Sequence, residues 1–558
     1  MDYNILIGGA AGQGMDTLAS VFSQVLHKRG YQIFTLQDYM SRVRGGHNFF
    51  QIRFSNAKVK SHSEELDGII ALNQETLDLH IGRLKRDGFI FADEEIKSED
   101  NRLITIHAKK TAKESGNVKT MSSVTLGALT KLFNMDETFM EEIFSEKFDA
   151  EVTAQNMTSF KRGQDMVDNQ YEVAEGSPKK TMLIQTNHAI ALGALAAGLK
   201  FYSAYPMTPS TSIMSYLTRK SKKAKMIVEQ AEDELAAINM AIGASYAGVR
   251  AMTGTSGGGF SLMTEALGLA GIAEIPLVIA VIQRPGPATG LPTRTEQGDL
   301  KFVINASQGE FGRMVIAVRN PEDAFYQTAR AFNLADKYQL PVIILGDQYL
   351  SDALQTVEPF DLGKINIERH LADAKSYEEG KTYNRYELTE NGISPRLIPG
   401  MTPGTAVNID SDEHDIIGNI TESAKVRTDM VEKRARKFEL LKKELMEPEL
   451  LGEENMDILL VGWGSTHSQL SEAVDLLNEA GEKKYGALVF GDIWPLPITK
   501  LKASAKTAKI LINVEQNYYG QLADLIRQET GITMTASILK FDGRPLSAHE
   551  IVTKVKEA

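Results

Sequence analysis

Residues 275–289 read Ile-Pro-Leu-Val-Ile-Ala-Val-Ile-Gln-Arg-Pro-Gly-Pro-Ala-Thr. Leu277–Ile282 is apolar at every position, and prolines stand on both sides of it. A run this short without alternation reads as a strand buried on both faces, the mark of a parallel sheet covered by helices. Arg284 then falls at the carboxyl end of the strand, where open α/β sheets bind ligands. A guanidinium there can grip a carboxylate in bidentate fashion. The plain alternative for Arg284 is a structural ion pair. The Pro/Gly loop that follows, through Arg294 to Leu300, favours a binding role.

Leu340–Leu345 and Ile458–Val461 read in the same way. Short apolar runs alternating with helical patterns predict an α/β protein of several domains. The chain has 558 residues, enough for three or four domains at roughly 150 each. We expect four segments: 1–175, 181–355, a charged connection at 356–450, and a compact unit at 451–558. Gln164–Lys180 reads as a polar linker, and Val426–Leu445 as a helix rich in Lys, Arg and Glu.

The formal charge is −12. This argues against nucleic-acid binding, which needs basic stripes to displace counterions. Apolar residues make 42% and charged residues 24%, as in ordinary globular proteins. No run approaches a membrane span, and no secretory leader precedes MDYNILIGG, so a cytoplasmic protein is expected. There is no cysteine. Disulfides, thiolate zinc sites, a cysteine nucleophile and cysteine-ligated iron–sulfur clusters are therefore excluded from this chain.

Five further stretches carry possible chemistry. Strand Tyr3–Ile7 runs into a Gly-rich turn, Gly8 to Gly14, and a helix follows. Such a turn offers free N–H groups to a phosphate. Its glycines, Gly9, Gly12 and Gly14, do not match the dinucleotide fingerprint G-x-G-x-x-G. A tight turn with no ligand therefore stands level with phosphate binding. Ser41–Asn48 sets Arg42 and Arg44 beside Gly45-Gly46. If both loops share one end of a sheet, they could hold a phosphorylated cofactor.

Tyr205-Pro-Met-Thr-Pro-Ser-Thr211 pins Thr208 between two prolines, with Pro209 expected in the first turn of a helix. Glu229, Glu232, Asp233 and Glu234 stand at or before the start of a helix packed with small residues. First-turn acids are ordinary dipole complements. A helix so poor in bulk should nonetheless be buried, and a carboxylate at its mouth can hold one hydrogen bond in a low-dielectric site. Ser256-Gly257-Gly258-Gly259 precedes a further helix and marks the close approach of a ligand or another chain.

In this order the motifs YPMTPST, AEDELAAINMAIGASYAG, TSGGGFSLM and RPGPATGLPTRTEQGDL resemble the α subunit of 2-oxoacid:ferredoxin oxidoreductases. GGAAGQG and RGGHNFF resemble that family's γ domain, fused in front. YELTENGISPRLIPG and VEQNYYGQL match as well. The resemblance implies a γ-type domain, a pyrimidine-type thiamine-diphosphate domain, and a transketolase C-terminal-like domain at the end. It implies oxidative decarboxylation of a 2-oxoacid to acyl-CoA, carbon dioxide and reduced ferredoxin. The fused arrangement favours 2-oxoglutarate, with pyruvate and branched-chain acids as alternatives.

By this likeness Glu234 bonds the aminopyrimidine ring nitrogen, with Glu232 the second choice. Thr208 sits beside the substrate's carboxylate or carbonyl, Arg284 binds that carboxylate, and Arg294 meets a distal one if the substrate is a dicarboxylate. Ser256, Gly257 and Gly258 line the cofactor pocket. Gly9, Gly12, Gly14 and Arg44 are candidate contacts to a phosphorylated cofactor such as coenzyme A. Family positions differ at Thr186-Asn187-His188, Gly258, Ala288 and Gln308-Gly309-Glu310, three of which are expected near the substrate side.

The diphosphate half of a thiamine site, Gly-Asp-Gly with a later Asn, is missing. Gly346-Asp347-Gln348 and Gly491-Asp492-Ile493 do not complete it. The resemblance therefore implies an obligate β subunit bringing the Mg²⁺ site and at least one iron–sulfur cluster, in an (αβ)2 assembly. Ferredoxin is the acceptor, and a further cluster-bearing subunit can accompany it. No metal is expected on this chain. Two other readings are weighed: an acyl-CoA-synthetase-like binder of CoA or nucleotide, and a non-catalytic scaffold.

Overall fold

A computed structural model describes residues 1–41, 45–481 and 483–557. Packing divides the chain into two compact units: residues 1–184 with 353–359 and 547–549, and 185–352 with 360–546 and 550–558.

The first unit is built on an eight-stranded mixed sheet. Across it run Leu103–Thr105, Leu84–Ala92, Leu66–Ala71, Asp2–Ala11, Gly45–Ser55, Gln32–Asp38, Leu354–Val357 and Met182–Gln185. The long strand Asp2–Ala11 lies antiparallel to Gly45–Ser55 and parallel to Leu66–Ala71. The strand therefore runs on through Gly8 and Gly9, past its expected end. The helix Met15–Lys28 buries Leu18, Phe22, Val25 and Leu26 on this sheet. Residues 165–181 carry no regular structure. The expected linker nevertheless runs along the unit, with Tyr171 stacked on Phe133 at 5.2 Å.

The second unit holds two sheets. The larger orders Asp492–Trp494, Met314–Ala317, Pro341–Asp347, Leu277–Gln283, Arg250–Thr255, Leu199–Ala204 and Ile227–Gln230. It is parallel except at Asp492–Trp494. Leu277–Gln283 lies inside it and is buried at every residue, as its unbroken apolar run requires. The smaller sheet orders Glu449–Gly452, Tyr485–Phe490, Ile458–Trp463, Ile510–Glu515 and Ala536–Leu539. One apolar core joins the two, from Ile279, Val281 and Ile343 to Leu459, Val461 and Phe490.

The charged connection is anchored to this core. Its helix spans Ala424–Leu441. Lys433 and Lys437 point inward and pair with Glu274 at 2.5 and 2.6 Å, all three buried. Burial lowers both lysines, Lys437 to about 8, while the two ammonium groups hold Glu274 well below the usual carboxylate range.

Two local expectations are corrected. The Tyr205–Thr211 turn ends on Ser210 as N-cap, and the helix begins at Thr211. Pro209 therefore precedes the cap and follows Thr208 through a cis peptide. The small-residue helix, Glu234–Tyr246, buries only its sheet-facing side. Leu235 and Met240 are exposed, and nothing lies within 4 Å of where a Cβ on Gly243 would project. Small side chains permit close approach, but none of the described residues takes that place.

Candidate active site

The site gathers at the carboxyl ends of the larger sheet in the second unit. Asp233 caps the helix Glu234–Tyr246, accepting from the Ala236 N–H at 2.7 Å. Glu232 is exposed, whereas Glu234 is only 3% exposed. Oε1 of Glu234 is buried and meets no hydrogen-bond partner among the described residues. Burial, with Asp233 nearby, raises its pKa. A buried polar atom left unpaired is costly, so the carboxylate is set for a partner that the described residues do not supply.

The three glycines separate their neighbours. A Cβ on Gly259 would collide with Oε1 of Glu234, and one on Gly257 with the Asp299 carboxylate. Gly258 faces nearly open space, the nearest atom being the Ala288 carbonyl oxygen at 3.7 Å. The turn is thus flanked by two carboxylates and open between them. Ser256 is buried, and its Oγ lies 2.6 Å from the Met207 sulfur.

Thr208 and Arg284 are brought together. Nη1 of Arg284 donates to the Thr208 carbonyl oxygen at 2.8 Å. Its other N–H groups and the Thr208 hydroxyl find no partner among the described residues. The Pro209 carbonyl oxygen accepts from Nδ2 of Asn187 at 2.9 Å, and the same nitrogen lies 2.8 Å from Ser212 Oγ. Two consecutive carbonyls of the turn are therefore held from outside it. Arg294 packs against Gly543, with Nη1 donating to the Thr293 carbonyl.

Asp299 went unrecognised in the sequence. It stands at the N-cap of the helix Leu300–Asn305, yet its side chain caps nothing. Oδ2 is buried and unpartnered, and burial pushes the carboxyl up to about 6. Burial and Asp299 together push Glu296 up to about 7. The Gly-Asp dipeptides are occupied otherwise. Asp347 accepts from the Leu350 N–H, with Ser465 and Thr295 also bonded to it. Asp492 takes Arg330 in a two-point pair at 2.7 and 2.8 Å.

In the first unit, Ala11 pairs with Gly45 across the sheet, so the two Gly-rich segments meet at one end. Gly12 and Gly14 adopt φ of 93° and 84°. A Cβ on Gly9 would crowd Gln13 and Leu72. Gln13 Oε1 accepts from the Ala10 N–H at 2.7 Å, so one loop donor is already taken. A cavity of about 280 Å³ opens beside the loop, lined by Gln13, Leu72, Lys109, Ser122 and Thr125. Arg44 lies outside the described residues. His47 and His80 face each other there, Nε2 to Nε2 at 2.8 Å. Burial and Arg83 hold His80 near 3, so the pair is neutral.

Two family models match the chain. "Pyruvate flavodoxin/ferredoxin oxidoreductase, thiamine diP-bdg" covers residues 192–433, and "Pyruvate ferredoxin/flavodoxin oxidoreductase" covers 4–166. The chain is 34% identical to the 2-oxoacid:ferredoxin oxidoreductase subunit alpha of Sulfolobus sp, over 98% of this chain and 95% of that one.

The chain belongs to the 2-oxoacid:ferredoxin oxidoreductase family.

The match spans both units, so this is an oxidoreductase chain of the family's alpha-subunit type. It is also similar to the 2-oxoglutarate synthase subunit KorA of Methanocaldococcus jannaschii, 34% identical over 61% of this chain and 90% of that one. Among solved structures it resembles the 2-oxoglutarate:ferredoxin oxidoreductase of Magnetococcus marinus, with TM-score 0.92 and 33% identity over 100% of this chain and 99% of that one. That structure holds 2-oxoglutarate, coenzyme A and succinyl-CoA. In this family chain the residues fit the pyrimidine end of thiamine diphosphate, because a buried carboxylate oxygen without a partner suits a ring nitrogen. Among the described residues no helix is long and apolar enough to cross a membrane.

Proposed function

We propose that this chain forms the pyrimidine half of a shared thiamine-diphosphate site. With a partner supplying the other half, it converts a 2-oxoacid and coenzyme A to acyl-CoA and carbon dioxide, with electrons leaving to ferredoxin. The observation that carries this reading is Glu234, with its buried, unpartnered Oε1 against Gly259. When bound, the cofactor supplies a nucleophilic carbon and an electron sink for decarboxylation.

This chain's residues do the rest. Glu234 holds a proton at Oε1 against the ring nitrogen, and its burial keeps that bond out of water. Ser256, Gly257 and Gly258 form the floor, where the open side of Gly258 admits a ring. Arg284 pairs with the substrate carboxylate through the N–H groups that Thr208 does not use. The Thr208 hydroxyl bonds the same end of the substrate, and Arg294 meets the distal carboxylate of a dicarboxylic acid. 2-Oxoglutarate is the favoured substrate, supported by the ligand of the Magnetococcus marinus enzyme and by the KorA relative. Coenzyme A meets the first unit at the Gly9–Gly14 loop and the cavity beside it.

The partner is a β subunit carrying the diphosphate and Mg²⁺ half and at least one iron–sulfur cluster, in an (αβ)2 assembly. The exposed face of the helix Glu234–Tyr246, which starts at the site, suits such a partner. The test is co-expression with a candidate β chain, followed by 2-oxoacid-dependent dye reduction and calorimetry with thiamine diphosphate. Glu234→Ala should lower activity by about 10²–10⁴-fold, the usual span for loss of a general acid–base group. It should also weaken cofactor binding. Normal activity with normal affinity would remove Glu234 from the role.

A further inference from the structure

The loop that leaves Arg284 returns to the sheet through residues 295–299, and alternate residues of that return are fixed. Thr295 Oγ1 accepts from the Tyr349 N–H at 3.2 Å. The Asp299 N–H donates to Gln283 Oε1 at 2.9 Å. Between them Gln297 is fully buried, with hydrogen bonds at both ends of its side-chain amide and on both main-chain groups. Its Nε2 donates to the Trp463 carbonyl at 2.9 Å, and its Oε1 accepts from the Gln516 N–H at 3.0 Å. Its own N–H donates to the Gln516 carbonyl at 2.7 Å, and its carbonyl accepts from Asn517 Nδ2 at 3.1 Å.

All three partner residues belong to the smaller sheet's end of the unit: Trp463 closes one strand, and Gln516 and Asn517 follow another. Those partners are themselves fixed. Asn517 Oδ1 accepts from the Gly520 N–H at 2.8 Å, and Gln516 Oε1 from the Leu546 N–H at 2.8 Å. Two residues beyond Gln297, Asp299 lies against Gly257. A chain of direct contacts thus runs from the smaller sheet through Gln297 and Asp299 to the turn beside Glu234.

We propose that Gln297 is a positioning residue for the reaction: through it the carboxyl-terminal sheet holds the Arg284–Asp299 loop in the geometry that receives the 2-oxoacid. This rests on the site assignment above. A loop is costly to order, and a buried amide with both ends used removes that cost before the substrate arrives. A merely space-filling residue would not need both bonds.

Two variants in the assembled enzyme test it. Gln297→Met keeps the length and removes both side-chain bonds. It should raise KM for the 2-oxoacid about tenfold, leave kcat within about threefold, and open the 284–296 loop to limited proteolysis. Gln297→Glu keeps the acceptor for Gln516 but sets a carboxylate against the Trp463 carbonyl. Protonation restores the donor, so its KM, relative to the native enzyme at each pH, should fall as pH drops from 8 to 6. A native KM in Gln297→Met overturns the proposal. If that variant does not fold, Gln297→Glu decides, and a KM ratio flat with pH overturns it. Glu234→Ala measured alongside separates the two readings. If it keeps cofactor affinity and activity, the site assignment has failed. If it is inactive while Gln297→Met is native, the positioning role alone has failed.

Discussion

Arg284 donates from Nη1 to the main-chain oxygen of Thr208 at 2.8 Å, although 76 residues separate them. The bond fixes one corner of the guanidinium and leaves the remaining N–H groups without a partner among the described residues. Replacing Arg284 by Ala should lower kcat/KM for the 2-oxoacid by about 100-fold, the worth of a lost charge-assisted bond of about 3 kcal/mol. Arg284→Lys should recover little, because an ammonium lacks the planar fork. Dye reduction by the assembled enzyme reads both, and near-native activity in the lysine variant would reject the bidentate role.

The glycine turn should separate into two behaviours. Gly257→Ala and Gly259→Ala each force a methyl group into a carboxylate, Asp299 or Glu234, and should cost stability as well as activity. Gly258→Ala meets open space and should fold normally while binding thiamine diphosphate at least tenfold more weakly. Chemical denaturation and calorimetry together distinguish the cases. A Gly258→Ala enzyme with native affinity would move the ligand elsewhere.

Asp299 gives a pH signature in stability. Burial raises its folded pKa to about 6, above the ordinary 3.8. The folded protein then binds the proton more tightly than the unfolded chain. The favourable contribution is complete below about pH 4 and is lost as pH rises through about 6. Asp299→Asn removes that loss. The variant should therefore be more stable than the native chain at pH 7.5, by up to about 3 kcal/mol, and should keep only about half of that advantage at pH 5. Urea midpoints at the two pH values test this, and an advantage equal at both contradicts it.

Glu274 joins two buried lysines of the charged helix to the main sheet's unit. Glu274→Gln leaves two buried ammonium groups without their counter-charge and should destabilise the chain by about 3–5 kcal/mol. Guanidinium unfolding monitored by circular dichroism measures the loss. A change below about 1 kcal/mol would show that water reaches the lysines.

Legibility in the sequence followed the range of the forces involved. The strand at 277–283 could be read because burial on both faces leaves an unbroken apolar run. Glu234 was separable from its acidic neighbours only through the family resemblance, since Asp233 takes the ordinary capping role. Asp299 and Gln297 were hidden for a different reason. An Asp before a helix normally caps it, and Gln297 acquires meaning only from partners 166–220 residues away. The burial expected for the helix Glu234–Tyr246 failed on its outer face, because small residues announce close packing without saying which chain provides it. The lysines at 433 and 437 look like solvated charge until Glu274, about 160 residues earlier, is set between them.

The edge of the eight-stranded sheet bears on how the protein is made. Leu354–Val357 lies beside Gln32–Asp38, but more than 300 residues separate them in the chain. A ribosome must therefore finish strands through Asp347 before the first sheet can close. Severing the gene between 175 and 181 would leave a bare strand edge on one product and two loose strands on the other. The halves would have to rejoin by strand addition, and each alone would be prone to aggregate through its open edge.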